Sequence, residues 1–261
     1  MITNNKIFMK AHLPKFFSFK QAKDLLRIGK NHDGGYLVSK SDIEKSDLLI
    51  GLGISNDWSF EEDFLSRKNV DIFAYDGSIS KKYFVKQLIK SIIRFDELKK
   101  ISYRLKSLFK YIKFFSQSNV HHIQKFVGLN SESDSYCTFL EVLNKTNHKN
   151  IFLKIDIEGD EYRFLDEIVE NENRITGMVI EFHNCDIHLK KIKQFLNKFS
   201  LNLVHIHANN YAQIRLDDRL PLVLELTFSR YAKLSNTYKL PHKLDMPNNK
   251  NVSELELSVI D

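Results

Sequence analysis

The sequence predicts an α/β fold in which a mainly parallel, seven-stranded sheet ends in an antiparallel hairpin and carries helices on both faces. Three observations support this prediction. Short apolar runs alternate with segments of helical periodicity from residue 47 onward. The last two runs, 203–207 and 222–226, have no helical pattern between them, which favours an antiparallel pair. The 261 residues, 43% of them hydrophobic, suffice for one sizeable domain.

The elements follow in chain order after an N-terminal extension, residues 1–46, which we expect to pack on the core. Within it, 18–27 suits a short helix, and the glycines of 33–38 indicate a turn into a strand. Strands are predicted at the apolar runs 47–51, 70–75, 122–127, 151–155, 177–182, 203–207 and 222–226. Helices are predicted at 60–68, 81–115, 134–143, 161–170 and 189–199. The main domain is assigned to 47–244, and the polar residues 245–261 are expected to form an irregular C-terminal tail.

Composition predicts a cytoplasmic protein. No apolar run approaches the roughly 18 residues that a membrane span needs, and residues 1–6 lack the apolar stretch of a signal peptide. The two cysteines, Cys137 and Cys185, form neither a disulfide framework nor a zinc pattern. We expect both to be buried thiols.

Basic charge is concentrated in a helical insertion, residues 81–118. Eleven lysines and arginines lie between residues 81 and 113, against Asp96 and Glu97 alone, so this segment carries +9 while the whole chain carries +6. Apolar residues recur there at helical spacing. Beside a plain solvated helix, three functions are open: a lid that attracts an anionic substrate, a contact with an anionic membrane, or a subunit interface of a homo-oligomer.

A cofactor turn is predicted at Gly51-Leu52-Gly53, which ends the first strand of the domain, since parallel sheets bind ligands at the carboxyl ends of their strands. Asp76 follows the next strand and is placed to accept hydrogen bonds from ribose hydroxyls. The third glycine of a dinucleotide site is replaced by Asn56, and Asp57 follows. This acidic turn suits the cationic sulfonium of S-adenosylmethionine (SAM) better than a pyrophosphate.

A polar cluster is expected at one rim of the sheet, where three strands end side by side. Residues i and i+2 of a strand share a face. The pairs that meet there are Asp156 with Glu158, Glu181 with His183, and His205 with His207, followed by Asn209 and Asn210.

Such a cluster indicates general-base catalysis, since a histidine can take the proton of an alcohol as its oxygen attacks a methyl group. His183 is the first candidate for the base and His207 the second, with Glu181 or Asp156 orienting it. A structural role for these histidines stays open. So does a Mg²⁺ or Mn²⁺ site, with Asp156, Glu181 and His183 as candidate ligands.

Other polar and aromatic residues are less specific. His121 and His122 precede a strand and are expected in a solvated loop. Trp58, the one tryptophan, fits either the core or the cofactor pocket.

Several motifs resemble those of FkbM-type SAM-dependent methyltransferases, including enzymes that methylate bacterial capsule and surface polysaccharides. The most specific is Asp156-Ile157-Glu158-Gly159-Asp160-Glu161, together with the run from Ile50 to Glu61. Further matches are 27–29, 33–36, 179–183, 205–210 and 224–227, so the resemblance spans about 27–228 and departs at the basic insertion.

The resemblance implies a Rossmann-like class I methyltransferase fold, with SAM contacts at Gly51, Gly53 and Asp76, and near Asp156 for the methionine end. It implies O-methylation of a sugar, and an anionic, nucleotide-linked sugar such as a heptose fits the basic insertion. A phosphate or phosphoramidate acceptor stays open. A nucleic-acid acceptor is not expected, because the sequence has neither an Asp-Pro-Pro-Tyr or Asn-Pro-Pro-Tyr motif nor a Pro-Cys nucleophile.

Overall fold

The computed structural model of the chain describes residues 9–128 and 133–260. Residues 1–6, where the sequence predicts no signal peptide, lie outside the described residues. The strands are β1 (Met9–Pro14), β2 (Leu25–Gly29), β3 (Gly35–Ser39), β4 (Leu48–Leu52), β5 (Asp71–Tyr75), β6 (Val120–Ile123), β7 (Phe126–Val127), β8 (Tyr136–Cys137), β9 (Ile151–Ile155), β10 (Ile175–Phe182), β11 (Asn202–Ala208), β12 (Leu224–Ser229) and β13 (Leu255–Ile260). The α-helices are α1 (Lys40–Lys45), α2 (Ser59–Arg67), α3 (Lys81–Ile93), α4 (Leu98–Phe115), α5 (Phe139–Asn144), α6 (Leu165–Glu170) and α7 (Cys185–Lys198).

Seven strands form the central sheet, in the order β11-β12-β10-β9-β4-β5-β6. Strand β12 runs antiparallel to both of its neighbours, and the other pairs are parallel. The predicted fold class is therefore confirmed: an α/β fold with a mainly parallel, seven-stranded sheet and a terminal antiparallel strand pair.

Apolar side chains fill both faces of this sheet because neighbouring residues of a strand point to opposite sides. In β4, Leu48 and Ile50 belong to a core that includes Phe139 and Phe195, from α5 and α7. Leu49 belongs to a second core, which includes side chains of α2, α3 and α4. Helices therefore cover both faces, which explains why β4 is a continuous apolar run and why Lys154 is the one polar residue of β9.

The strand order changes direction at β4, which places a crevice at the carboxyl ends of the central strands. Strands β5 and β6 lie on one side of β4, and β9 and β10 lie on the other. The loops that leave β4 and β9 therefore diverge from each other. Parallel α/β sheets bind ligands at such a position.

The N-terminal extension differs from the prediction in one element. Residues 18–27 do not form a helix; instead β2 pairs antiparallel with β3, from Leu25 opposite Ser39 to Gly29 opposite Gly35. The turn at Gly34 (φ +82°) reverses the chain, so that β2 and β3 pair as neighbours in the sequence. Pairing in the hairpin satisfies backbone groups that a short isolated helix would leave exposed.

Other predicted elements are split or begin later. The predicted helix 161–170 is a 3₁₀ turn, Glu161–Arg163, followed by α6. The predicted strand 122–127 is β6 and β7, and the predicted helix 134–143 begins only at Phe139, after β8. The start of α5 is set by a capping box, in which the side chains of Thr138 and Glu141 bond each other's backbone amides.

The basic insertion consists of two helices, α3 and α4, which we call the helical hairpin (residues 81–115). Trp58 packs against Phe84, Tyr111 and Phe115 of the hairpin, with ring centroids 5.6 to 6.0 Å apart, so it belongs to the core. His122 is not a solvated loop residue. It lies in β6, where Nδ1 is 2.7 Å from the Tyr111 hydroxyl and Nε2 is 3.1 Å from the Asp76 carbonyl oxygen.

The expectation of an irregular tail at 245–261 is wrong for its last part. Leu255–Ile260 forms β13, which pairs parallel with β1. The side chains of Leu255 and Leu257 are buried. The alternation of leucines with polar residues is a strand pattern, although the preceding stretch is polar.

Both cysteines are free and buried, as predicted. Across residues 9–128 and 133–260, the chain has no helix that combines the length and the apolar character required to cross a bilayer.

Candidate active site

The turn after β4 depends on glycine at position 53. Gly53 has φ +76°, and a Cβ atom there would lie 1.7 Å from the carbonyl oxygen of Asp156. Its amide donates to the Tyr75 carbonyl oxygen at 2.9 Å. The turn is therefore fixed against the ends of both neighbouring strands, β5 and β9.

Gly51 has a different role from the predicted cofactor contact. It lies within β4, and a Cβ atom there would lie 2.5 Å from Oε1 of Glu61. It is absent from the residues that line the cleft described below. This glycine makes room for a side chain of helix α2.

Asp76 holds the turn in place through its carboxylate. Oδ2 accepts hydrogen bonds from the amides of Ile54 (3.1 Å) and Ser55 (2.7 Å). Oδ1 accepts from the amide and hydroxyl of Ser78, at 2.7 and 2.5 Å. Asp76 also lines the cleft, and its contact with a ribose stays a prediction.

A cleft of about 410 Å³ opens at this crevice. Asn56 and Asp57 line it as the sequence predicts. Asp57 also forms an ion pair with Lys30, at 2.7 Å. The lining residues are Asp33, Gly34, Gly53, Ile54, Ser55, Asn56, Asp57, Phe60, Tyr75, Asp76, Ser78, Lys125, Phe126, Val127, Lys154, Asp156, Ile157, Glu158 and Asp160.

The lining of the cleft is acidic, with six carboxylates against two lysines. Phe126 adds an aromatic surface that is about two-fifths exposed. Its ring packs over Gly77, where a Cβ atom would lie 2.4 Å from ring carbons. A cation and a flat apolar group therefore both find matching surfaces in this cleft.

Lys154 lies beneath the cleft and was not predicted as a site residue. Its ammonium donates to the Gly53 carbonyl oxygen at 2.5 Å and lies 3.4 Å from Oδ2 of Asp156. Burial lowers the pKa of Lys154, but the carboxylates of Asp156, Glu61 and Glu181 more than offset this, so its pKa is raised. It remains charged and holds the glycine turn and Asp156 together.

Glu61 is buried behind this lysine, and neither of its carboxylate oxygens has a hydrogen-bond partner within the described part of the chain. Burial raises its pKa to about 7, although the charge of Lys154 acts in the opposite direction. This carboxyl group therefore titrates near neutral pH.

Tyr36 brings the N-terminal extension into the site. Its hydroxyl lies 3.1 Å from Oδ2 of Asp156 and 3.2 Å from Oε2 of Glu181, and it can donate to one of them at a time. Glu181 also accepts from the amide side chain of Asn209, at 2.9 Å. Burial, together with the charges of Asp156 and Glu225, raises the pKa of Glu181 well above its usual range.

We call the edge of the sheet that carries Asp156, Glu181 and His183 the rim. Nδ1 of His183 donates to Oε1 of Glu161 at 2.7 Å, and the same oxygen accepts from the His183 amide at 2.9 Å. Nε2 lies 3.5 Å from Glu158 and 3.6 Å from Glu181. The ring orientation is therefore fixed by Glu161, a residue that sequence reasoning assigned only to a motif.

The neighbouring carboxylates determine the protonation state of His183. Burial lowers its pKa, but the hydrogen bond to Glu161 and the charges of Glu181, Glu161 and Asp156 outweigh burial and raise the pKa to about 9. The imidazole is thus a stronger base than a free histidine, with a small neutral fraction at pH 7.

His207 does not occupy the position expected of a second base. It is buried, Nδ1 lies 2.9 Å from Glu225, and Nε2 lies 3.2 Å from Glu254. Although burial lowers its pKa, the carboxylates raise it well above the usual range. The geometry assigns this histidine to a structural ion pair.

The partners of the second histidine pair come from the C-terminal segment. His205 Nε2 lies 2.9 Å from Asp245, and Asn248 donates to Glu225 at 2.7 Å. Asn210 donates to backbone carbonyl oxygens of residues 249, 252 and 253. These side chains therefore attach residues 245–254 to the sheet rather than contribute to a reaction.

The metal prediction is matched in part by geometry. Among the described residues, Asp156, Glu158 and His183 offer ligand atoms that lie within 4.8 Å of one another. Glu158 takes the place expected for Glu181, whose oxygens are bonded to Tyr36 and Asn209. A divalent cation there stays a prediction.

Comparison with known proteins yields similarity to solved structures only. The sequence matches no family model and no curated protein. The resemblance to FkbM-type enzymes is therefore not supported by a family match.

Three of the similar solved structures are as follows. A precorrin-6y C5,15-methyltransferase from Geobacter metallireducens GS-15 is 14% identical, with 81% of this chain and 95% of that chain covered and a TM-score of 0.39. Methanococcus jannaschii fibrillarin pre-rRNA processing protein is 10% identical, covering 74% and 70%, with a TM-score of 0.38. M. jannaschii TYW2 in complex with AdoMet is 12% identical, covering 76% and 83%, with a TM-score of 0.35.

Proposed function

We propose that the chain is a SAM-dependent O-methyltransferase that acts on a sugar hydroxyl. The observation that carries this proposal is the charge of the cleft at the strand crossover, where six carboxylates face two lysines. A cationic sulfonium gains from this field, whereas the pyrophosphate of a dinucleotide is repelled. The volume of about 410 Å³ lies within the range of small-ligand sites.

The residues of the cleft fit SAM part by part. Gly53 allows the tight turn that packs against Asp156 and forms part of the cleft wall. A ribose hydroxyl would replace the Ser78 hydroxyl as a donor to Asp76. The exposed ring of Phe126 would stack on the adenine. Asp57 and Asp156 would face the ammonium and sulfonium groups of the methionine end. When bound, SAM supplies a methyl group that its positive sulfur makes electrophilic.

His183 is the group that we propose takes the proton from the acceptor hydroxyl. Nδ1 is bonded to Glu161, so Nε2 is left to face the rim. A histidine oriented by a carboxylate in this way has a fixed tautomer and a raised basicity. A positive ligand arriving at Asp156 and Glu158 would lower the pKa of His183 from about 9 and increase its neutral fraction.

A neutral sugar ring is the acceptor that best matches the mouth of the cleft. Asp33, Glu158 and Asp160 offer carboxylate oxygens that can accept hydrogen bonds from hydroxyls. A phosphate or phosphoramidate acceptor would instead meet like charges. We propose that the phosphates of a nucleotide-linked sugar, such as a precursor of capsule or another surface polysaccharide, lie outside the cleft near the basic helical hairpin.

Methyl transfer from tritiated SAM to a panel of nucleotide-linked sugars, with bulk RNA assayed in parallel, tests this proposal. We expect label in a sugar, and a loss of about 10²–10⁴ in turnover for His183→Ala with SAM binding retained. The control, His121→Ala, removes an exposed histidine from β6 and should keep full activity. Label in RNA alone, or an active His183→Ala variant, would contradict the proposal.

An assay with the chelator EDTA distinguishes a histidine base from a metal site. A histidine base predicts that activity survives EDTA. Loss of activity with EDTA, restored by Mg²⁺ or Mn²⁺, would instead assign Asp156, Glu158 and His183 to a cation.

A further inference from the structure

The helical hairpin presents two different surfaces. Its inner surface carries Phe84, Tyr111 and Phe114, which are buried against the domain. The turn between α3 and α4 lies away from this packed surface. There Ile93, Phe95 and Leu98 are 68%, 93% and 84% exposed. Large apolar side chains so close together in solvent cost free energy unless something covers them.

Phe95 is also held in an unfavourable backbone conformation. Its φ is +51°, in the left-handed region where a bulky residue is strained and glycine is preferred. Its amide donates to the Ile92 carbonyl oxygen at 3.1 Å, so the turn is well formed around it. A strained position that also exposes a phenyl ring is a reason to look for a partner of that ring.

Basic side chains surround this apolar tip. Lys90, Arg94, Lys99 and Lys100 are all exposed, and Lys100 forms a 3.0 Å ion pair with Asp96. The hairpin carries eleven lysines and arginines against two acidic residues. The tip is therefore apolar at its end and strongly positive behind it.

We propose that the tip of the helical hairpin docks on an anionic lipid surface, with Phe95, Leu98 and Ile93 inserted among the acyl chains and the lysines among the headgroups. This pattern of apolar and basic residues is what interfacial helices use. A second copy of the chain would place one hairpin of charge +9 against another, and their repulsion opposes a dimer at the tip. An RNA would match the charge but would leave the aliphatic side chains without a function.

The position of the hairpin in the chain links docking to the cleft. Lys81 follows Ser78 closely, and Phe115 shortly precedes Lys125; Ser78 and Lys125 both line the cleft. The cleft lies at the base of the hairpin and the docking tip at its far end, so an acceptor held at the lipid surface would have to reach along the length of the hairpin, about 20 Å for the 13 residues of α3. This consequence rests on the proposed function, whereas docking itself does not.

Vesicle flotation of the full chain tests the docking. With about 30% anionic lipid at about 0.1 M salt, we expect binding at least tenfold tighter than to neutral vesicles, and about tenfold weaker binding at about 0.5 M salt. Equal binding to neutral and anionic vesicles, or no binding to either, would overturn the proposal.

A second measurement separates the tip from general stickiness. Phe95→Gly should not lower the melting temperature, since glycine tolerates the left-handed conformation, and Phe95→Gly/Leu98→Ser should weaken vesicle binding at least tenfold. The matched control, Ile187→Ser/Leu216→Ser, removes side chains that are 72% and 86% exposed elsewhere, and should bind like the wild type.

Two outcomes would assign the tip to another partner. One is an RNA oligomer that binds more tightly than the anionic vesicles and whose binding Phe95→Gly/Leu98→Ser abolishes. The other is a dimer in sedimentation that this double variant dissociates. Either result would overturn lipid docking without bearing on methyl transfer, which is measured on soluble acceptors.

Discussion

The rim of the sheet and the helical hairpin hold their charges in opposite ways. Lys154 and Glu181 at the rim, and His207 beside it, are buried, and each has hydrogen-bonded or ion-pair partners. In the hairpin, Lys90 and Lys99 lie in solvent beside exposed apolar residues. The rim holds its charges in buried pairs, whereas the helical hairpin exposes its charges to solvent.

This difference predicts how each region responds to substitution. A buried charge costs several kcal/mol of desolvation, which its partners offset only in good geometry. Removal of one partner at the rim should therefore have a large effect. Removal of an exposed lysine changes the free energy of unfolding little. Its contribution to binding an anionic surface adds to that of its neighbours.

The largest effect on stability is expected for His207→Ala. It would leave the carboxylates of Glu225 and Glu254 without the cation between them, and the loss of one partner of a buried pair costs about 3–5 kcal/mol. Urea denaturation measures the change. A variant with unchanged stability would mean that His207 is not the structural ion pair described above.

Gly53→Ala should have the next largest effect. A positive φ costs an alanine roughly 1–2 kcal/mol, and the clash with the Asp156 carbonyl oxygen adds to this. SAM binding should be lost together with stability. The control is Gly128→Ala, which also has a positive φ (+123°) but, among the described residues, no neighbour nearer than 3.4 Å to the added Cβ atom. An equal loss in both variants would remove the special role of the turn.

The pH dependence of turnover should be steep. Asp156, Glu158, Glu161 and Glu181 face His183, and its pKa is about 9. A base must be neutral to accept a proton, so kcat/KM should rise about tenfold per pH unit below this pKa and level off above it. Glu161→Gln should shift the rise to lower pH. A profile that is flat between pH 7 and 9 would argue against His183 as the base.

The smallest effect is expected in the hairpin. Lys99→Gln/Lys106→Gln removes two exposed charges, and surface changes of this kind alter stability by less than about 0.5 kcal/mol. Turnover on a soluble acceptor should also be retained. A marked loss of stability in this variant would break the distinction between the two regions.

The sheet could be predicted from the sequence because its strands are short apolar runs. Residues 151–155 are buried along their whole length and were assigned with their observed bounds. By contrast, β2 was taken for a helix, because Leu25, Leu26 and Ile28 fit either pattern and only the pairing with β3 decides between them.

The site could be predicted where residues follow strands. Gly53, Asp76 and Asp156 line the cleft as expected, since strand ends determine their place. Tyr36 and Glu254 could not be assigned roles, because they reach the sheet from distant segments, 120 residues before Asp156 and 47 residues after His207. Lys154 was not assigned to the site because it lies within an apolar strand. Its charge in that strand was the one signal that could have identified it.

Calorimetric titration with SAM tests the central claim most directly. If the acidic cleft is a sulfonium site, the wild-type chain should bind SAM saturably below about 1 mM, in the usual range for enzyme substrates. NAD should show no binding at the same concentration, because its pyrophosphate meets the six carboxylates. No saturable heat with SAM at about 1 mM, or binding of NAD in its place, would contradict the account.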